Sequence, residues 1–499
     1  MAFARTAAWW GAWLVVCAAG AVPAAAARPN VLFIAIDDLR PALGCYGDRL
    51  ARTPHIDRLA GGGRTFLSAY CAQAVCGPSR TALLTGRLPD QTRVWHNRHR
   101  FRDTLPDAVT LPQAFLRAGW TTRSLGKVAS GDTREEDPAG WSVPPLLREK
   151  GWKTALLPES AGRGKGLPWE RVDVADDGFA DGRLADAAIA ALGAAAAGDA
   201  PFFLAVGFFK PHLPFNAPAR YWDLHDPAAL GPVPSPDRPA SAPDIAWPDH
   251  RELAGYRGIP ADERVDVGTA RDLRHGYYAC VSYVDAQVGR VLDALDRLGL
   301  AERTIVVLWG DHGYSLGEGD HWCKATNFER DTRVPLVIRA PGMAHPGLAT
   351  EALVELVDVY PTLAEAAGVP APADLAGRSL MPQLADPLAP GRDVALSQFA
   401  RPFRNADPEV MGYSLRSPAH RYTRWVEWPS RRTITEELYA YPTPPPGQPF
   451  VEERNLIADA AAAPVRERLR EALDTMLATR VGAPLPPRPR SRGKGSDDD

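Results

Sequence analysis

Cys76-Gly77-Pro78-Ser79-Arg80, continued by Thr81-Ala82-Leu83-Leu84-Thr85-Gly86-Arg87, sets a nucleophilic side chain one helical turn from a fixed cation. Pro78 suits the first turn of a helix, so Cys76 falls at the amino end, where free N–H groups and the helix dipole favour an anion. Arg80 lies one turn further on and reaches the same point. Other polar residues close three apolar runs. Residues 30–36 lead into Asp37-Asp38, residues 201–207 into Lys210-Pro211-His212, and residues 304–309 into Asp311-His312. Lys127 and Lys324 add two cations, in Ser124-Leu125-Gly126-Lys127 and His321-Trp322-Cys323-Lys324. Each has an ordinary explanation when read singly. Cys76 suits a buried position before a capped helix, an Asp-Asp pair suits a cap or turn, and His212 or either lysine suits a solvated or core-edge position.

The elements needed to bring these residues together are legible. Apolar runs without alternation fit strands buried on both faces of a parallel sheet, and an open α/β sheet gathers its ligand site at the carboxyl ends of such strands. Tyr277, Val281, Val284, Val288, Val291 and Leu295 recur at three- and four-residue steps until Gly299, predicting an amphipathic helix. Alanine-rich residues 181–197 predict another. Helices between buried strands make a doubly wound α/β domain with a large mixed sheet. Residues 226–250, proline-rich and aperiodic, read as a long surface loop. From about residue 397 the texture changes. Residues 413–428 predict two antiparallel strands joined at Ser417-Pro418, and residues 464–477 predict a helix, together a smaller C-terminal α+β subdomain with an antiparallel sheet. The expected division is an export signal over 1–27, a catalytic domain over 28–396, a C-terminal subdomain over 397–485 and a disordered tail over 486–499.

Composition narrows the partners. The chain has 499 residues with 57 basic and 60 acidic side chains, a net charge of −3, and no sign of a nucleic-acid partner. An acidic substrate must therefore be drawn by a local cluster of cations. Arg5, the apolar residues 7–22, Pro23 and the alanines of 24–27 read as an export signal cut before Arg28, for release to the periplasm or beyond, with a retained membrane anchor as the alternative. Cys17 leaves with it. The remaining Cys45, Cys71, Cys76, Cys280 and Cys323 have no zinc-site or disulfide-scaffold spacing, and their odd number leaves at least one free or chemically altered, with Cys76 the candidate.

Cys76 to Arg87 resembles the signature of the formylglycine-dependent sulfatases, a family of the alkaline-phosphatase superfamily. Leu39 to Asp48, Thr53 to Asp57, Phe202 to Phe215, Tyr283 to Gly289, Val334 to Gly342 and Met411 to Arg416 are similar to its iduronate-2-sulfatase branch. The resemblance covers about residues 30 to 480. It implies an alkaline-phosphatase-like fold and hydrolysis of sulfuric esters on a sulfated carbohydrate, with a 2-sulfated uronic acid as one member of that class. It implies that a formylglycine-generating maturation enzyme oxidises Cys76. The aldehyde hydrate attacks sulfur with one hydroxyl, and the other expels sulfate as the carbonyl re-forms. Asp37, Asp38, Asp311, His312 and the residue-76 oxygen match the family's metal ligands, an oxygen-rich set suited to Ca2+. His312 stands where most sulfatases have an amide and is similar to the iduronate-2-sulfatase branch. Arg80 is implied to hold the hydrate and carboxylates in register. Lys127, His212 and Lys324 match positions binding the sulfate oxygens, the last two also protonating the leaving alcohol.

One position departs from the pattern. The family continues Gly-Lys-Val-aromatic-His, and here Ser130 follows Gly126-Lys127-Val128-Ala129 where the histidine is expected. Serine is a far weaker base, so release needs Asp311, His96 or His99 as a substitute, or turnover is slow. Two other functions stay open at this point: a catalytically impaired sulfated-glycan binder, and a phosphate mono- or diester hydrolase on the same scaffold. The sequence fixes no oligomeric state.

Overall fold

The computed structural model describes residues 28–129, 137–146, 153, 155–157, 160, 165–249, 252–261, 264–403, 405, 407–441 and 451–482. Ser130 and the segments expected to be an export signal (1–27) and a disordered tail (486–499) lie outside them.

The apolar runs become strands of one mixed sheet. In chain order these are β1 (Asn30–Ile36), β2 (Arg64–Tyr70), β3 (Thr121–Gly126), β4 (Phe202–Phe208), β5 (Thr304–Gly310), β6 (Arg333–Val334), β7 (Leu336–Arg339) and β8 (Ala349–Glu355). Their spatial order is β6-β2-β7-β5-β1-β4-β3, with β8 paired to β2. β1, β4 and β5 are buried along their whole length. β1 runs parallel to both neighbours, so three strands leave the sheet on the same side. The five principal helices are α1 (Cys76–Thr85), α2 (Ala180–Ala196), α3 (Val267–Arg297), α4 (Val359–Ala367) and α5 (Ala463–Met476).

α3 is longer than its apolar period foretold. Asp266 caps it, accepting from the Gly268 and Thr269 N–H groups at 2.9 and 3.0 Å, a contribution of about 1 kcal/mol. Gly299, at φ +66°, ends it as expected. Two apolar cores flank the large sheet. One includes α2 and α3 with Ile34, Val206 and Leu308, and the other includes α4 with Phe33, Phe203 and Trp309.

A second, antiparallel sheet follows in the order β9 (Ala395–Arg401), β10 (Val410–Arg416), β11 (His420–Glu427) and β12 (Thr433–Ala440). β10 and β11 are the two expected strands. β9 and β12 were not read from the sequence. Leu415, Tyr422 and Leu438 of this sheet share a third core with Leu469 and Leu473 of α5 and with Ala82 of α1. The helix that carries Cys76 is thus packed between the two sheets.

Candidate active site

β1 and β5 are aligned with Ile36 opposite Gly310, so Asp37-Asp38 and Asp311-His312 emerge side by side. The chain turns at Asp38, whose φ of +59° is a conformation that Asp tolerates better than most residues. Its N–H donates to Asp311 Oδ1 at 3.0 Å, and its carbonyl accepts from Tyr277 Oη at 2.9 Å. Lys127 reaches this edge because β3 and β4 close tightly on each other. A Cβ at Gly207 would lie 2.0 Å from the Lys127 carbonyl oxygen, so only glycine permits the approach. His212 sits on the loop after β4, anchored by Asp181 of α2, which accepts from the Phe209 and Lys210 N–H groups at 2.9 and 2.8 Å. Burial raises the Asp181 carboxyl to about 6 despite those bonds. Lys324 is held between Cys323 and Ala325, both at positive φ, a backbone strain characteristic of functional sites.

These elements converge on Cys76. Its Sγ lies 3.4 Å from Asp37 Oδ1, 3.9 Å from Asp38 Oδ1, 3.4 Å from His312 Nε2, 3.4 Å from Lys127 Nζ and 3.8 Å from Lys324 Nζ. Arg80, fully buried, donates from Nε to Asp311 Oδ2 at 2.8 Å and from Nη2 to Asp37 Oδ1 at 3.1 Å, joining carboxylates from two strands. Lys127 Nζ pairs with Asp37 at 2.5 Å, and Lys324 Nζ with both Asp38 oxygens at 2.6 and 2.9 Å. His212 Nε2 is further out, 3.9 Å from Asp38 Oδ2. Asp37, Asp38, Cys76, Arg80, Lys127, His212, Asp311, His312 and Lys324 therefore lie in one cluster, and all are buried.

The helix start differs in one respect. The Gly77 N–H, expected to be available to an anion, is taken by Asn97 Oδ1 at 2.8 Å. Among the described residues, the hydrogen-bonding partners of Cys76 Sγ do not include His96 or His99. The two rings lie 3.6 Å apart and tilted by 33° to each other, and their Nδ1 atoms accept from the Arg98 and Trp95 N–H groups. Asn97, Asp181, Tyr277 and Glu252 belong to this site but escaped the sequence reading. Each comes from a loop or helix face distant in the chain from the partner it serves.

The charges of the cluster are set by opposition between burial and pairing. Burial alone would raise Asp37 and Asp311, but Lys127 acting on the first and Arg80 on the second hold both below the ordinary carboxylate value. Burial alone would lower Lys324, but Asp38 and other anions push it well above its ordinary value. His212 is pushed well below 6.5, by burial and then by Lys324, and is neutral.

His312 is the informative group. Its Nδ1 lies 2.8 Å from the Gly313 carbonyl, which requires Nδ1–H as donor. That leaves Nε2 facing Asp38 Oδ1 at 3.2 Å and Asp311 Oδ1 at 3.6 Å. Three acceptors facing one another require a cation, either a proton on Nε2 or a metal ion. Ligand atoms of Asp37, Asp38, Cys76 and His212 all lie within 4.8 Å of one another, as do those of Cys76, Asp311 and His312. Buried carboxylate oxygens with one imidazole, tied to backbone at its far nitrogen, fit a hard divalent cation.

Comparison with known proteins places this geometry. Residues 29–369 match the family model described as Sulfatase, and residues 317–478 match that described as N-sulphoglucosamine sulphohydrolase, C-terminal. The chain is similar to iduronate 2-sulfatase of Homo sapiens, at 35% identity over 80% of this chain and 85% of that one. It is also similar to the solved structure of a 2-O GAG sulfatase, with a TM-score of 0.66, 25% identity and coverage of 91% and 92%. A phosphonate monoester hydrolase from Silicibacter pomeroyi superposes with a TM-score of 0.73 at 24% identity, over 91% of this chain and 96% of that one, a likeness of fold alone.

Proposed function

The chain belongs to the sulfatase family of sulfuric ester hydrolases, and from that premise we propose that it removes sulfate from a sulfated sugar, a 2-sulfated uronic acid. We propose that it does so with Cys76 converted to formylglycine and with Ca2+ held by Asp37, Asp38, Asp311, His312 and the residue-76 oxygen. The observation that carries the reading is the convergence of two carboxylates, two ammonium groups and an imidazole on Cys76 Sγ, all within 3.9 Å. The names of the human relative and of the 2-O GAG sulfatase support the position of the sulfate.

Residue 76, once converted, would supply as its aldehyde hydrate a nucleophilic hydroxyl for sulfur and a second hydroxyl able to release sulfate. Ca2+ held by Asp37, Asp38, Asp311 and His312 would supply charge that polarises sulfate oxygens. The side chains do the rest. Arg80 fixes Asp37 and Asp311 relative to each other. Lys127 and Lys324 keep their ammonium charge in a water-poor cleft, where they stabilise negative charge on the sulfate oxygens. Lys324 is also the group that would give the departing alcohol oxygen its proton. His212, with Nδ1–H donated to the Leu213 carbonyl at 2.6 Å, turns Nε2 to the same space and passes protons there. Asp311 is a poor base for release, since Arg80, the Asp38 N–H and the His312 N–H already occupy it.

Ser130 supports a second reading in which sulfate release is slow and the sulfated glycan is retained. The phosphate-ester alternative rests on likeness of fold alone. We further propose that residues 1–27 direct export, that residues 28–396 carry the chemistry and that residues 397–485 form the subdomain closing its rim. Among the described residues no helix is long and apolar enough to cross a membrane.

The test is mass spectrometry of the Cys76 peptide from protein co-expressed with a maturation enzyme, followed by a screen of sulfated mono- and disaccharides. Conversion of the thiol to aldehyde is expected, with turnover falling by about 10⁴-fold or more in Cys76→Ala. A thiol that stays unmodified throughout overturns the nucleophile. A matured protein that binds but does not hydrolyse any member of the panel favours the second reading.

A further inference from the structure

Glu252 opens the short turn Leu253–Gly255, in the segment that follows the proline-rich loop, and no sequence motif marks it. Its carboxylate nevertheless enters the site. Oε1 lies 3.5 Å from His212 Nε2 and Oε2 lies 3.4 Å from Lys324 Nζ, with 21% of the side chain exposed. A carboxylate that merely decorated a surface turn would extend into solvent, where an ion pair contributes little. This one spans the two groups assigned above to the leaving alcohol.

Lys324 faces two carboxylates, Asp38 at 2.6 Å and Glu252 at 3.4 Å. Asp38 belongs to the proposed metal set, so its oxygens have another claim on them. Glu252 does not. It is the anion that can keep the ammonium on the leaving-group side whatever Asp38 binds. Its backbone carbonyl accepts from Lys165 Nζ at 3.3 Å, which ties the turn to a neighbouring segment independently of the side chain.

We propose that Glu252 is a positioning residue that aims the Lys324 ammonium at the departing oxygen. The inference rests on the reading of Lys324 given under Proposed function. Its consequence is selective. A sugar alkoxide is a poor leaving group and needs a proton as the S–O bond breaks, whereas a nitrophenolate departs without one. A misaimed donor therefore harms sugar sulfates far more than activated aryl sulfates, while loss of a simply structural residue harms both alike.

The experiment compares kcat/KM of matured wild type, Glu252→Gln and Glu252→Ala on para-nitrophenyl sulfate and on a sulfated sugar that the wild type hydrolyses. A fall of about tenfold or more is expected on the sugar, with a fall at least about fivefold smaller on the aryl ester. Binding of inorganic sulfate, read by calorimetry, is expected to be as tight as in wild type or tighter, because a nearby negative charge has been removed. Equal falls on both substrates, no fall on either, or weakened sulfate binding overturns the proposal. Lys324→Ala and His212→Ala run alongside. If neither shows the leaving-group dependence, the assignment of those residues fails. If they show it and the Glu252 variants do not, the role of Glu252 alone fails.

Discussion

At Arg80 a single guanidinium joins carboxylates that arrive from different strands, and the rigid fork of its donors is what allows it. Lysine has the charge without the fork and can reach only one partner well. Arg80→Lys is therefore expected to lower kcat/KM by about 10²-fold while the protein still folds, as read by circular dichroism beside sulfate-ester kinetics. Activity within a few-fold of wild type would show that Asp37 and Asp311 keep their geometry unaided. Cys76, Asp37, Asp38 and Arg80 were readable as candidates because each sits in a local pattern. Asn97 was not, because the Gly77 N–H it occupies belongs to a helix some twenty positions earlier.

The join between the two sheets shows the same logic between elements. Glu329 accepts from Arg416 Nε at 2.9 Å on β10, from Arg421 Nη2 at 2.8 Å on β11 and from Tyr70 Oη at 2.9 Å on β2. Burial alone would raise this carboxyl, yet Arg416 and Arg421 hold it at about 2, against 4.5 for an unperturbed glutamate. The folded value is the lower one, so the stabilisation is complete above about pH 4.5 and is lost as pH falls towards about 2. Glu329→Gln leaves two buried guanidinium groups short of a counter-charge and is expected to cost about 3 kcal/mol near neutral pH. That gap should narrow as the pH is lowered through this window in denaturant melts, and a gap that stays constant would contradict the assignment. The strands carrying these arginines were legible, since β10 and β11 are joined by a tight turn at Ser417-Pro418. β9 and β12 were not. β9 is buried throughout and so lacks the alternation that marks a half-exposed strand, and β12 carries acidic residues in tandem.

For the molecule as a whole, three buried carboxylates at one sheet edge are a liability that a bound divalent cation would offset. Added Ca2+ is expected to raise the melting temperature by several degrees, at about 2 °C or more per kcal/mol, and a chelator to reverse the rise. Asp38→Asn and Asp311→Asn should abolish the response, whereas an unchanged melting temperature in all three proteins would argue against a resident ion. The packing of α1 between the large sheet and the second sheet makes site and stability interdependent, because Ala82 and Leu83 of that helix lie in different cores.

The sequence by itself determined the fold class, the three strands whose ends carry the polar residues, and the helix with Cys76 at its start. These are properties of local periodicity and of short motifs, which the chain carries wherever it folds. Only the tertiary structure decided which imidazole nitrogen of His312 faces the carboxylates, that Asn97 closes the helix start, and that Glu252 enters the cluster. Those outcomes depend on distances of a few ångströms between segments as far apart in the chain as Asp38 and His312, set by strand order and packing, and no periodicity records them.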